Sequence, residues 1–198
     1  MYVSLLPNQI PRDTTVLIDD FTVHEIHSPA QVAKNAQELV VNGGFAKDEV
    51  GAVKAPWYFA NIGGNRIAGR VIEVKKEKAF QIAMNKNTTN LESARLWQMV
   101  NLEKGVRYEV RCRMRWDNYE KADTTPIVNY GFHHFDSNTS YGPIDQTLKK
   151  SPDWEDYSFV HVPTYDGPWQ LYVQLNGWGN FGQQLTVSFT DFSCRAVK

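Results

Sequence analysis

The stretch PWQLYVQLNGW, residues 168–178, alternates apolar and polar side chains with hardly a break. On a β-strand successive side chains point to opposite faces, so Leu171, Val173 and Leu175 share one face and Gln170, Tyr172, Gln174 and Asn176 the other. The first set suits a core. The second is unusual for a solvated strand, which more often carries Lys, Glu, Thr or Ser. Carboxamides offer a donor and an acceptor side by side, as a sugar hydroxyl does, and a Tyr or Trp ring adds a flat apolar plate. Trp178, between Gly177 and Gly179, either sits at the rim of this face or tucks over the core edge. The chemistry within reach of such a row is adhesion to a ligand with polar edges and apolar faces.

Other strands must position that row. The runs TTVLIDDFTVHEI, RIAGRVIEV, AFQIAMN, RLWQMVNL, VRYEVRCRMRW, PIVNYGFHHF, YSFVHVP, QLYVQLN and LTVSFTDFSCRAV each read as a strand. Turn chemistry separates them at Asn42-Gly-Gly, Gly63-Gly64, Glu103-Lys-Gly, Asp166-Gly-Pro and Asn176-Gly-Trp-Gly. Residues 28–40 hint at a helix but lack an amphipathic stripe. Many short strands with little helix predict an all-β antiparallel sandwich or jelly roll.

The 198 residues suffice for one main domain with a sizeable core and something extra. The start, MYVSLLPNQIPRD, lacks the basic and apolar regions of a signal peptide and reads as an internal piece of a longer chain. Twenty-one basic residues against 22 acidic ones leave a net charge of -1, so no overall field draws the chain to nucleic acid or an anionic membrane. No apolar run reaches membrane-spanning length. Cys112 lies on the apolar side of its strand, which suits a buried thiol, and a bridge to Cys194 stays open.

Residues 15–26 echo residues 186–197, with Thr, Val, Asp and Phe at matching positions. The expected organisation is a closing strand of a preceding related module, or an extra strand, over residues 1–27. A linker follows over 28–38, and the main sandwich over 39–198.

Several residues carry two readings. Trp116 and Trp169 fall in core phase, whereas Trp57 in APWYFAN either borders a groove or, with Tyr58 and Phe59, caps the core. Arg107, Glu109, Arg111, Arg113 and Arg115 share one strand face. They form a solvated face paired with Glu73 or Glu77, or they line a groove for an acidic polysaccharide. His133 and His134 are adjacent on a strand, point to opposite faces, and so cannot easily share a metal ion. No strand presents paired carboxylates of the kind glycoside hydrolysis uses, although His133, Tyr141 and the arginines would suit a lyase.

From Leu39 onward the order of signals resembles the carbohydrate-binding module superfamily that includes families 4, 9 and 22, jelly rolls appended to xylanases and β-glucanases. LVVNGGF at the start, RLWQMVNLEKGVRY in the middle, and WEDYSFVHVP with LTVSFTDFSCRAV at the end carry the resemblance. It implies a concave sheet that binds a soluble β-linked polysaccharide, xylan first and mixed β-glucan next. It implies Arg95, Trp97, Tyr141 and Gln174 as contacts, Trp57 near the groove, and Trp154 and Tyr157 in the core. It implies a non-catalytic module of a secreted glycoside hydrolase, covalently linked to a catalytic domain, outside the cell or on its surface as part of a larger bacterial protein. Many members hold a structural calcium through a Glu after Asn-Gly-Gly-Phe. Ala46 stands there in this chain, leaving Asp191, with Asp48 close in sequence, as the remaining carboxylates. The alternatives are a polysaccharide-cleaving jelly-roll enzyme and a protein-interaction sandwich of a surface protein.

Overall fold

The structure is a computed structural model that describes residues 36–119, 127–134, 139–141, 146–147, 151–177 and 184–198. Residues 1–27, and the expected linker up to residue 35, lie outside the described residues. The strands are β1 (Trp57–Ile62), β2 (Ile67–Val74), β3 (Glu77–Met84), β4 (Ser93–Leu102), β5 (Arg107–Tyr119), β6 (Ile127–His134), β7 (Thr139–Tyr141), β8 (Gln146–Thr147), β9 (Glu155–His161), β10 (Gly167–Asn176) and β11 (Leu185–Val197). No helix occurs among the described residues, and residues 36–40 of the hinted helix have no regular structure.

Two antiparallel sheets form an all-β sandwich of jelly-roll type. One runs β1-β4-β10-β6-β7 with β8 also on β6, the other β2-β3-β11-β5-β9. Alternation decides the interior. Leu96, Phe132, Leu171 and Val173 of the first sheet meet a core shared with Phe80, Val110, Met114 and Phe189 of the second. Each such side chain contributes about 1.5–3 kcal/mol by leaving water. Trp116 and Trp169 lie in this core, as their phase predicts, and Cys112 and Cys194 are buried free thiols. Burial pushes the Cys112 thiol well above its usual range and Cys194 up to about 12, so both stay protonated.

The Asn42-Gly-Gly-Phe45 turn sets the phase of β1. A side chain on Gly43 would meet the Phe192 carbonyl oxygen at 2.0 Å, so only glycine lets this turn lie against β11. There the β11 register shifts between Thr190 and Ser193, and Asp191 takes a positive φ of 54°. Phe45 and Phe192 then pack on the Trp57 ring at 5.4 and 4.9 Å, and the Trp57 indole N–H donates to the Asn42 carbonyl at 3.1 Å. With Trp57 held inward, Tyr58 must point outward. Gln98 does the same for β4. Its side-chain amide accepts from Val41 N–H at 2.7 Å and donates to Val41 C=O at 2.8 Å, tying the N-terminal segment to the core side of the strand.

Glu38, placed with the linker by sequence, docks on the sandwich. Its carboxylate accepts from Cys194 N–H, the Ser193 hydroxyl and the Arg195 guanidinium.

Candidate functional site

The outer face of the first sheet collects the polar row of β10 and the residues it pairs with. Strand register sets Tyr58, Trp97, Tyr172 and Gly131 side by side, then Ala60, Arg95, Gln174 and Asn129 in the next row. Met99, Gln170 and His133 form a third row on the other side.

Arg95 organises the middle of this face. Its Nε donates to Gln174 Oε1 at 2.6 Å and its Nη1 to Gln170 Oε1 at 2.7 Å. The guanidinium carbon lies 4.3 Å from the centre of the Tyr172 ring, a cation–π contact. Gln174 in turn donates to Asn176 Oδ1, at the end of β10. Burial lowers the proton affinity of Arg95 and raises the pKa of Tyr172, whose phenol the nearby cation pulls partly back. Burial, with Arg95 and His134 nearby, likewise lowers His133, so this imidazole is neutral at neutral pH.

Beside the polar row stands an aromatic pair. The Tyr58 and Trp97 rings are stacked, with centroids 5.8 Å apart and planes 25° from parallel. Tyr58 is 49% exposed and Met99 40%, whereas Gln170 and Tyr172 are 4% and 5% exposed. Among the described residues the accessible plates are therefore Tyr58 and Trp97, and Tyr172 acts chiefly as a floor under Arg95. Such a surface can stack on apolar rings and bond hydroxyls along their edges.

The predicted contacts Arg95, Trp97, Gln170, Tyr172, Gln174 and Asn176 share this face. Trp57 does not. It is 1% exposed in the core because its indole anchors the Asn42 turn, and the outward position passes to its neighbour Tyr58. Trp178 lies outside the described residues. Tyr141 belongs to β7 with its backbone opposite Phe132, and its side chain lies outside them too. Sequence reading missed Tyr58, Met99 and Asn129 as members of the site, and named His133 only for the alternative of a lyase. Reading WYFANI as a strand with Trp57 inward would have revealed Tyr58. His134 lies on the core side, stacked on Tyr165 at 5.1 Å.

The outer face of the second sheet is a different surface. Arg111 pairs with Glu109 at 2.9 Å, Arg113 with Asp191 at 2.9 Å and with Glu77 at 3.7 Å, and Arg115 with Asp117. Trp154 is not a core residue. It lies half-buried, with the Arg113 and Arg115 guanidinium carbons each 5.3 Å from its ring centre, because β9 is an edge strand alongside β5.

The carboxylates expected to hold calcium do not fit that ion. Asp191 is engaged by Arg113, and Asp48 accepts from the Asn42 amide at 2.5 Å and from Lys54 N–H at 3.0 Å. The ammonium of Lys78 sits on the carbonyl oxygens of Asp48 and Ala46, where its positive charge would oppose a second cation. Among the described residues no cluster of three or more His, Cys, Asp and Glu side chains could ligate a metal. No helix of the described residues is long and apolar enough to cross a membrane.

No protein-family model matches the sequence, and no curated protein matches it. The fold has relatives among solved structures. The chain is similar to a family 4 carbohydrate-binding module at 20% identity and a TM-score of 0.54, over 79% of this chain and 98% of that one. It is similar to part of an arabinose-bound family 51 α-L-arabinofuranosidase at 13% identity and a TM-score of 0.60, over 80% of this chain and 26% of that one. It is also similar to part of the enzymatically active domain of tailspike protein 4 of bacteriophage CBA120, at 11% identity and a TM-score of 0.57, over 81% of this chain and 21% of that one. The chain thus spans about a quarter or less of the two larger proteins. At these identities the likeness establishes the sandwich fold.

Proposed function

We propose that the chain is a non-catalytic module that binds a soluble β-linked polysaccharide along the outer face of its six-stranded sheet. The observation that carries this reading is the juxtaposition of the accessible Tyr58–Trp97 stack with the Arg95–Gln170–Gln174 network. Rings take the apolar faces of the sugars, and the fixed amides and guanidinium take the hydroxyls. The strand positions of this face carry no Asp or Glu among the described residues, so the acid–base pair that hydrolysis uses is missing from them.

Xylan is the first backbone to test and mixed β-glucan the next, on the resemblance of the motifs quoted above. The likeness to a near-complete carbohydrate-binding module, and to portions of two enzymes, supports a role tethered to a catalytic domain outside the cell. Tethering would raise the local concentration of that enzyme at its substrate, so a dissociation constant of about 1 µM to 1 mM would suffice.

Native affinity electrophoresis through gels containing xylan, mixed β-glucan or mannan tests the reading. Retardation by one polymer, strongly reduced in a folded Trp97→Ala protein, is the expected result. Equal migration in every gel, acidic polymers included, would remove carbohydrate binding as the function.

A further inference from the structure

Arg95 differs from the other described arginines in how its charge is answered. Arg66, Arg111, Arg113, Arg115 and Arg195 each pair with a carboxylate among the described residues. Arg70 and Arg107, which have no such pair, are exposed and solvated. Arg95 is partly buried, and its described partners are the neutral Gln170, Gln174 and Tyr172. Two neutral carboxamides and a ring orient a guanidinium without neutralising it. Removing that charge from water costs free energy that amide dipoles return only in part.

Every group facing Arg95 from the neighbouring strands fails to supply the missing anion. Across β10 stand Gln170, Tyr172 and Gln174, beyond them Asn129 and His133 of β6, and on the other side Tyr58 and Ala60 of β1. The cation and the aromatic stack are also in register. Arg95 and Trp97 are two residues apart on one strand face, about 7 Å along β4. A sugar ring lying on the Tyr58–Trp97 pair would therefore bring an exocyclic substituent within reach of the free guanidinium N–H groups.

We infer that the site selects a polysaccharide bearing carboxylates, with Arg95 gripping the carboxylate of a uronic acid residue while a ring packs on Tyr58 and Trp97. Guanidinium and carboxylate match in a planar two-bond fork, and the acid supplies the counter-charge that the described residues of this face lack. This rests on the proposed polysaccharide binding and narrows it to acidic chains, either with uronate in the backbone or with uronate side groups on a neutral backbone.

The test compares affinity electrophoresis in mannuronate-rich alginate and glucuronoxylan, each against its carboxyl-reduced form. At least one native polymer is expected to bind about tenfold or more tightly than its reduced form. Retention in mannuronate-rich alginate identifies backbone uronate, and retention in glucuronoxylan alone identifies side groups. The preference is expected to vanish in Arg95→Gln, to survive partly in Arg95→Lys, and to persist in Arg111→Gln, all three checked for folding by thermal melting. Equal retention of native and reduced polymers would overturn the inference while leaving polysaccharide binding standing. A preference that survives in folded Arg95→Gln would also overturn it, placing recognition elsewhere. No retention by any polymer, acidic or neutral, would overturn both.

Discussion

The two outer faces of the sandwich handle positive charge in opposite ways. On β5 the arginines at 111, 113 and 115 are matched by Glu109, Asp191, Glu77 and Asp117, from within the strand, from adjacent β11 or from β3 beyond it, and Trp154 lies beneath two of them. The charge of these three is answered within the protein. On β4 a single arginine is held by two glutamines and a tyrosine, beside aromatic rings that nothing covers among the described residues. Buried or half-buried polar groups seek partners. Where the fold provides them the surface is finished, and where it orients them without completing them the remainder falls to a ligand.

The sharpest way to break this contrast is to move along β1 from Trp57 to Tyr58 and its partner. Trp57→Ala is expected to destabilise the fold by about 3–5 kcal/mol in chemical denaturation, since it empties the junction of Phe45 and Phe192 and removes the indole hydrogen bond to the Asn42 carbonyl. Trp97→Ala is expected to weaken polysaccharide binding by roughly 30-fold, about 2 kcal/mol, with little change in melting temperature. If Trp97→Ala instead unfolds the protein and leaves binding intact, the outer stack is structural and the contrast fails.

The self-satisfied region offers a smaller effect. Lys78→Met is expected to cost about 1–2 kcal/mol by leaving the Ala46 and Asp48 carbonyls without their cation, while a calcium chelator leaves the melting temperature of the wild-type chain unchanged. A chelator-induced drop would show that calcium, and not Lys78, serves this turn. Arg111→Gln should lower stability by about 1 kcal/mol, because it takes the cation from the mostly buried Glu109 carboxylate while leaving a hydrogen-bond donor in its place, and should leave retention in polysaccharide gels unaltered.

The least effect concerns acid. Glu92 closes the turn that leads into β4, accepting from Thr89 N–H at 2.7 Å and from Arg66 at 2.9 Å. The Thr89 backbone bond first, then Arg66, lower its pKa below the ordinary carboxylate range. A depressed folded-state pKa means stability that is present above the unfolded value and lost as pH falls through the folded one. Melting temperature should therefore fall below about pH 4.5, and less steeply in Glu92→Gln than in wild type.

Much of this was legible in the chain itself. The alternation in β5 and β10 assigned Gln170, Tyr172 and Gln174 to one side of their strand and Trp116 and Trp169 to the core side of theirs, because a strand's side chains change face at every residue, while the family resemblance singled out Arg95 and Trp97. Asn-Gly-Gly-Phe announced a turn that only glycine permits at position 43. Alternation says nothing about which strand lies next door. Register comes from how two apolar faces fill a common core, and a slip of one residue would invert a whole strand. Tertiary structure alone therefore decided that Tyr58 stacks on Trp97, 39 positions further along the chain. It likewise decided that Arg95 reaches two glutamines 75 and 79 residues away, and that Trp57 turns inward. The residue types set what chemistry the face can do, and packing against the second sheet selected which of them meet.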